Sequence, residues 1–283
     1  MTWSFCGARR RGSATCVVPR GWGAPTSART APALKSCACC WKAGASASRY
    51  ANGRCQGWIH TVKVLHDWSL TPAAAVALQR ELAPRLILDD RLDDVASIAG
   101  VDIGFEEAGS VTRAAVVLLA WPSLEVLEQQ VHREPTRMPY VPGLLSFREI
   151  PAALAAFDRL QRRPDLVMVD GQGIAHPRRL GVAAHLGLWL DLPTIGIAKS
   201  RLCGQHGAVP ESRGEWTPLE HRGETIGAVL RSREHVKPVF VSPGHRLSLT
   251  TAVDWVVRCL GRTKLPEPTR LADRLASRRG RGG

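Results

Sequence analysis

A mixed α/β sheet covered by helices is the fold class that the sequence predicts, and three observations support it. Three apolar segments of strand periodicity follow one another within residues 97–133, separated only by short turns. Further along the chain, short apolar segments alternate with longer segments of helical period. Two of the apolar segments also carry an aspartate, a residue that strands rarely contain. The first two observations predict the architecture, and the third marks where its chemistry lies.

Residues 1–62 differ in composition from the rest of the chain. Residues 1–63 contain ten Lys or Arg and no Asp or Glu, whereas the remaining 220 residues carry 28 basic and 25 acidic groups. The net charge of +13 therefore says little about what the rest of the chain binds. Six of the eight cysteines also precede residue 56, without the paired spacing of a zinc site. We expect an unstructured or artefactual extension, with the natural start near Val62 or Val64; an organelle transit peptide is the alternative.

Residues 63–277 are expected to form the folded domain, followed by a disordered basic tail at 278–283. The Thr71-Pro72 pair predicts a helix start. No segment approaches the roughly 18 uninterrupted apolar residues that a membrane span needs, so none is expected. The patterns predict helices over 73–83, 146–162, 178–190 and 249–260, strands over 97–105, 112–121, 124–133, 166–169, 193–198, 225–231 and 239–242, a loop over 210–223, and a polar tail after 260.

This order of elements is the one that a ribonuclease H-like fold shows, with an antiparallel meander beside parallel strands and the first and fourth strands as neighbours. Asp102 lies within the first predicted strand between Gly100 and Gly104, and Asp170 ends the fourth. Adjacent strands would bring the two carboxylates together, and paired carboxylates select a hard cation such as Mg²⁺ or Mn²⁺. The alternatives are a solvent-facing edge aspartate at 102 and, at 170, a turn aspartate bonded to its own backbone.

Four further side chains have both a structural and a functional interpretation. Tyr140, in the proline-stiffened loop 138–143, either packs on the surface or acts as an aromatic wedge that enters a base stack. Glu149 either completes a capping box with Ser146 or faces an active site. Lys199 is either a surface lysine or a catalytic cation. His245 is either a hydrogen-bonded turn residue or a catalyst.

Several long segments, in order, resemble the endonuclease V family of deaminated-base repair nucleases. The resemblance extends from about residue 66 to about residue 277 and includes AGVDIGFE (99–106), VTRAAVVLL (111–119), MPYVPGLLSFRE (138–149), LVMVDGQGIAHPRRLGVAAHLGL (166–188), IGIAKSRLCG (196–204) and PGHRLS (243–248). It implies that Asp102 and Asp170, assisted by Glu149, bind Mg²⁺, with Mn²⁺ as a substitute. It also implies that Lys199 and His245 serve the scissile phosphate and the attacking water.

For DNA recognition, the resemblance implies that Tyr140 is the aromatic wedge that enters the base stack. The other residues expected to contact DNA are Pro139, Gly143, Gly171, His176 and Arg178, and backbone amides at Gly143 and at 171–173 are expected to read the base edge. The implied protein is a cytoplasmic monomer that cuts DNA containing deaminated bases at the second phosphodiester 3′ to the lesion. It would use a metal-activated water and leave 3′-hydroxyl and 5′-phosphate ends.

Three alternatives to this function stay open from the sequence. They are an inosine-specific ribonuclease of the same family, a module that binds flipped bases without cutting, and a strand-cutting nuclease of the same fold, such as the C-terminal half of an excision nuclease subunit. The last alternative gives no account of the 138–143 loop. The number of metal ions, one or two, also stays open.

Overall fold

One eight-stranded sheet organises residues 64–277, the part of the chain that this computed structural model describes. The expectations for residues 1–62 and 278–283 lie outside the described residues. In chain order the elements are α1 (Pro72–Leu82), β1 (Ser97–Glu106), β2 (Val111–Ala120), β3 (Val126–Pro135), α2 (Leu145–Phe157), β4 (Leu166–Asp170), α3 (Val182–Leu190), β5 (Thr194–Ala198), β6 (Trp216–His221), β7 (Glu224–Leu230), β8 (Val239–His245), α4 (Leu249–Arg258) and α5 (Glu267–Ser277).

The strand order is β3-β2-β1-β4-β5-β8-β7-β6. Strands β1, β2 and β3 form the predicted antiparallel meander, and β1, β4 and β5 run parallel to one another. Strand β8 returns antiparallel to β5, and β7 and β6 continue the sheet in antiparallel fashion. The first and fourth strands are therefore neighbours, and the predicted ribonuclease H-like fold is confirmed.

Helices cover both faces of the sheet. On one face, Val101 and Val169 pack with Ile150 and Phe157 of α2 and with Leu186 of α3. On the other face, β1, β4 and β5 pack against α4, and β2 packs against α5. Strands buried on both sides are expected to be mostly apolar, and in β5 every residue is buried and only Thr194 is polar. None of the helices between residues 64 and 277 has the length and apolarity to span a bilayer.

Four predicted elements differ from the structure. Helix α2 ends at Phe157 rather than at residue 162. Helix α3 begins at Val182, because residues 171–181 form an irregular loop in which Arg179 has a positive φ of 59°. Residues 216–221, predicted as loop, form the edge strand β6, and residues 267–277, predicted as a polar tail, form α5. Helix α5 changes the account of the site.

Candidate active site

The register of the parallel strands brings Asp102 and Asp170 side by side. Val101 of β1 pairs with Val169 of β4, and each aspartate is the next residue of its strand. Strand β5 continues this edge, since Asp170 pairs with Ile197 and Lys199 follows the last residue of β5. Two carboxyl groups and one ammonium group thus lie at the edge of the sheet where the parallel strands end.

Helix α5 adds a third carboxylate to this edge. One carboxylate oxygen from each of Asp102, Asp170 and Asp273 lies within 4.8 Å of the other two. Lys199 Nζ is 2.6 Å from Asp170 Oδ2 and 2.5 Å from Asp273 Oδ1. Three hard oxygen ligands at this spacing fit a divalent cation such as Mg²⁺. We call these three aspartates the acid cluster.

The electrostatics of the acid cluster show an excess of negative charge. Burial, and then the charge of Asp170, raise the pKa of Asp102 to about 7. Burial also raises the pKa of Asp170. Partial burial opposes the charged form of Lys199, but its bonds to Asp170 and Asp273 raise its pKa above the usual value. One ammonium therefore does not balance the crowded carboxylates, and a bound cation would relieve their repulsion.

Glu149 lies beside the acid cluster but not within it. Its side chain is buried, and burial followed by the charges of Asp102 and Asp170 raises its pKa well above the usual value. The three-aspartate group does not include it. The capping box with Ser146 does not form, because α2 begins at Leu145 and the Ser146 hydroxyl bonds His185 Nδ1 at 3.0 Å. Glu149 is thus a buried neighbour of the acids.

Ser146 leads into a hydrogen-bonded pair of neutral histidines, of which His185 is buried and His66 is half-buried. His66 Nδ1 is 2.7 Å from the Asp67 carbonyl and must donate to it, so His66 Nε2 accepts from Trp189 Nε1 and from His185 Nε2, 2.8 Å away. His185 Nδ1 then accepts from the Ser146 hydroxyl. Burial and the neighbouring His66 lower the pKa of His185 well below 6.5. A proton on either ring would remove an acceptor from this network.

The histidine pair predicts loss of stability in acid. Below about pH 6.5 the unfolded chain binds protons that the folded chain does not, so the free energy of unfolding contributed by this pair falls as pH falls. His185→Gln should lower the Tm at about pH 7.5, and the difference from wild type should narrow by about pH 5.5. His206→Gln, at an exposed ring, is the control. A His185→Gln difference that stays constant with pH would contradict the neutral pair.

Helix α5 is held in place at both ends. A Cβ on Gly100 of β1 would lie 1.9 Å from the Pro268 carbonyl oxygen, so only glycine permits this approach of the helix. Near the other end, the buried Arg113 of β2 donates to the Leu275 carbonyl at 2.9 Å and pairs with Glu106 at 2.8 Å. Asp273 lies between the two attachments. The glycine beside Asp102 therefore serves the helix that carries Asp273.

A cavity of about 360 Å³ opens next to the acid cluster. Its walls come from three segments, the end of the 138–143 loop with the start of α2, the loop after β4, and the residues after β5. It is lined by Gln79, Tyr140, Gly143, Leu145, Ser146, Asp170, Gly171, Gln172, His176, Leu180, Gly181, Val182, Ala198, Lys199, Ser200, Arg201 and Leu202. Pockets of this size bind ligands as large as a nucleobase. Asp170 and Lys199 belong both to the cavity and to the acid-cluster edge.

The carbonyl of Gly143 anchors the loop above the cavity. It accepts hydrogen bonds from Gln79 Nε2 at 3.0 Å, His176 Nε2 at 3.1 Å and an Arg178 terminal nitrogen at 2.7 Å. The His176 ring is neutral, because its Nδ1 accepts from the Arg178 amide and because burial, then the charge of Arg178, lower its pKa to about 4. Above this anchor, the Tyr140 side chain is 68% exposed and Pro139 is also exposed.

Three groups expected in the site have partners within the protein. Arg178, which is partly exposed, donates hydrogen bonds to the Gly143 carbonyl and to Gln79, and its contact with DNA stays a prediction. The Gly171 amide donates to Ile197 and the Gly173 amide to Ser242, which leaves neither free to read a base. Of the expected amides, those of Gly143 and Gln172 have no acceptor in the described part of the chain.

The third of these groups is His245. It is the last residue of β8 and pairs with Thr194, the first residue of β5, whereas Lys199 follows the end of β5. At about 3.3 Å per residue, His245 lies roughly 16 Å along the sheet from Lys199. Its Nδ1 accepts from the Ile87 amide and its Nε2 is 3.6 Å from Asp191. The structure does not bring His245 to the acid cluster.

Asp273 was missed by the sequence analysis, although a weak signal marks its helix. Leu271 and Leu275 are four residues apart, as are Ala272 and Ala276, with charged residues between them. This spacing is typical of a helix with one apolar face. An acid on such a helix, downstream of two strand acids, is the pattern that could have identified it.

Similarity to known proteins identifies the family of this chain. A family profile described as Endonuclease V matches residues 80–274. The chain belongs to the endonuclease V family. A relative named endonuclease V from Azotobacter vinelandii is 60% identical over 213 residues, which cover 75% of this chain and 96% of the relative. One from Trichormus variabilis is 54% identical over 215 residues, covering 76% and 97%. The protein is thus an enzyme, a nuclease of this family.

Solved structures of endonuclease V proteins share its fold. The Streptomyces avermitilis protein is 40% identical with a TM-score of 0.71, covering 77% of this chain and 96% of that chain. A Ciona intestinalis endonuclease V is 26% identical with a TM-score of 0.61, covering 72% and 95%. That protein was solved with a 24mer DNA containing an inosine followed by a ribo-adenosine.

Proposed function

We propose that this endonuclease V is a DNA repair enzyme that recognises deaminated bases, chiefly deoxyinosine, and hydrolyses the second phosphodiester bond 3′ to the lesion. The products would carry 3′-hydroxyl and 5′-phosphate ends. The observation that carries the proposal is the position of the acid cluster next to a cavity of base size, below the exposed Tyr140. The inosine-containing DNA bound by the Ciona relative supports the choice of lesion.

In this proposal Asp102, Asp170 and Asp273 hold Mg²⁺, with Mn²⁺ as a substitute. The ion, when bound, makes water more acidic and offsets negative charge on the phosphate. Glu149, buried next to these ligands, would assist them in holding the ion; burial raises its pKa well above the usual value. Lys199 directs its ammonium group to the same edge, where it would contact the scissile phosphate.

Recognition in this proposal depends on extrusion of the damaged base. Hypoxanthine pairs poorly with thymine, so taking it out of the duplex costs less than the few kcal/mol that an intact pair requires. The extruded base would enter the cavity, where the Gly143 amide offers a donor to its edge. The carbonyl of Gly143 is fixed by three hydrogen bonds, which holds this amide in position. Tyr140 would fill the gap left in the stack.

Tyr140→Ala should weaken binding to an inosine duplex by roughly ten- to a hundredfold, since stacking on an aromatic ring contributes about 1–3 kcal/mol per base. Binding to undamaged duplex should change far less, because it depends on phosphate contacts. Cleavage at saturating enzyme should persist. Affinities measured in Ca²⁺ for both duplexes check this, with Leu127→Ala as the control at an exposed apolar side chain of β3, outside the cavity. An unchanged ratio of the two affinities would exclude Tyr140 from recognition.

A nicking assay tests the whole proposal. Wild-type protein with Mg²⁺ should cut an inosine duplex at the second phosphodiester on the 3′ side and leave a matched undamaged duplex intact. Cutting without preference would favour a general strand-cutting nuclease of this fold, and binding without cutting would favour a module that binds flipped bases.

An inosine-specific ribonuclease is the second candidate, and the bound oligonucleotide of the Ciona relative favours it because a ribo-adenosine follows the inosine. A protein that reads the ribose hydroxyl discriminates RNA from DNA at that position. Cleavage rates on three inosine-containing substrates decide between the two candidates. The substrates are an all-DNA strand, a DNA strand with one ribonucleotide 3′ to the inosine, and an all-RNA strand. Equal rates on the first two would favour the DNA enzyme.

We also propose that residues 63–277 form the catalytic domain and that the protein acts as a monomer in the cytoplasm. The family match to residues 80–274 supports the first part.

A further inference from the structure

Two lysines outside the proposed catalytic set lie at the same edge of the sheet. Ala198 of β5 pairs with Phe240, so β8 begins where β5 ends, and Lys237 lies just before that strand, separated from it only by Pro238. Lys264 lies in the connection between α4 and α5, and its Nζ donates to the Lys199 carbonyl at 3.3 Å. Lys264 also lines a concave surface of about 320 Å³ together with Lys199, Thr263, Leu265 and Arg270.

Neither of these two lysines forms an ion pair with a carboxylate in the described part of the chain. Lys199 is paired with Asp170 and Asp273, and Arg270 is paired with Glu267. Among residues 64–277, no carboxylate lies within 4.0 Å of Lys237 or Lys264. Partial burial, followed by the charges of Lys237 and Lys199, lowers the pKa of Lys264. Neighbouring cations without a counter-ion repel one another, and an anionic ligand would relieve that repulsion.

The position of this pair indicates which anion it binds. Lys199 lines both the base cavity and the concave surface that contains Lys264. The cavity and the concave surface therefore lie next to each other along the edge that carries the acid cluster. A nucleic-acid strand with its base in the cavity and a phosphate at the acid cluster would place its next phosphates over the concave surface.

We propose that Lys237 and Lys264 form a subsite for a phosphodiester of the cut strand, next to the scissile phosphate and on the side away from the base cavity. This inference rests on the proposed function for the direction of the strand. The binding energy of the subsite is independent of base identity, so it contributes equally to damaged and undamaged DNA. It would hold the strand on the far side of the cut.

The first experiment measures binding in Ca²⁺ as a function of salt. Lys237→Gln and Lys264→Gln are the variants, since glutamine at 264 can still donate to the Lys199 carbonyl. Each should weaken binding to inosine and undamaged duplexes equally, by about five- to thirtyfold, and the double variant should reduce the salt slope by about one. Arg162→Gln, an exposed cation beyond the far end of α2, is the control and should behave as wild type.

The same variants separate the subsite from the chemistry. KM should rise while kcat on inosine duplex stays at the wild-type value, because the acid cluster and Lys199 are untouched. A fall in kcat with unchanged binding would instead show that the lysines only support Lys199, and would overturn the subsite.

A second experiment identifies the phosphate. Methylphosphonate, which carries no charge, replaces single phosphodiesters on the 3′ side of the scissile bond. One position should weaken binding by wild type, and the double variant should be insensitive to that same position. The proposal would be overturned if methylphosphonate substitution weakened binding by the double variant at every position where it weakens binding by wild type. Binding to undamaged duplex tests the subsite even if the enzyme shows no preference for inosine. The proposed function and the proposed subsite can therefore be rejected independently.

Discussion

Asp102→Asn should lose cleavage by on the order of a thousandfold or more, because in the proposed mechanism it removes an anionic metal ligand and with it the stabilisation of several kcal/mol that the ion would give the reaction. The same variant should be at least as stable as wild type in EDTA. The wild-type carboxyl is buried beside Asp170, and its pKa of about 7 means that ionisation at higher pH opposes folding in the absence of metal. A loss of activity with a gain in stability is the expected result.

The sign of the stability change follows from the pKa. The folded pKa lies above the unfolded value, so the metal-free wild type loses stability as pH rises from about 4 to about 7. The Tm advantage of Asp102→Asn in EDTA should therefore be larger at about pH 8 than at about pH 5. Added Mg²⁺ should stabilise wild type and not the variant. Asp254→Asn, at an exposed ion pair on α4, is the control for both measurements. Full magnesium-dependent activity in Asp102→Asn would contradict the metal site.

Gly100→Ala and Gly104→Ala form a matched pair on either side of Asp102, and their effects should differ sharply. A Cβ at 100 would lie 1.9 Å from the Pro268 carbonyl oxygen, whereas a Cβ at 104 meets nothing within 4 Å. Gly100→Ala should therefore displace α5 and cost about 1–3 kcal/mol of unfolding free energy, as overpacked sites do. Gly104→Ala should be neutral or stabilise by up to about 1 kcal/mol.

The activity of the two glycine variants tests the role of Asp273. If α5 moves, Asp273 leaves the acid cluster, so Gly100→Ala should need a higher Mg²⁺ concentration for half-maximal cleavage and should be at least about tenfold slower at a fixed concentration. Gly104→Ala should keep the wild-type magnesium dependence. Titration of activity against Mg²⁺, at a temperature where both variants are folded, gives the comparison. Identical titration curves would show that α5 does not need Gly100 for its placement.

The central part of the site could be predicted from sequence because its signals are local. Alternation along 97–105 identified β1 and the strand face of Asp102, and the apolar run before Asp170 identified the end of β4. The order of the elements then predicted that β1 and β4 are neighbours, which the structure confirms. The glycines on either side of Asp102 indicated that another group approaches the strand closely. At Gly100 that group is the Pro268 carbonyl of α5.

The other parts of the site could not be predicted, because they depend on information that local sequence patterns do not contain. His245 follows an apolar run as Asp170 does, but β8 is antiparallel to β5, so the end of β8 lies at the opposite edge of the sheet. Strand direction is a property of the whole topology. Asp273 lies in a helix whose polar residues outnumber its apolar ones, so the helix is defined by its contacts with β1 and β2. Ser146 and Glu149 have capping spacing, yet the helix begins one residue before Ser146.

The position of α5 after every other described element sets the order in which the nuclease is built during translation. Asp102 and Asp170 are synthesised early and can pair as soon as β1 and β4 do, but Asp273 follows after the whole sheet has been made. Domains fold as their chain leaves the ribosome, so a nascent chain that has completed its sheet still lacks one of the three carboxylates. In the proposed mechanism, the metal site is therefore completed only after α5 has been synthesised.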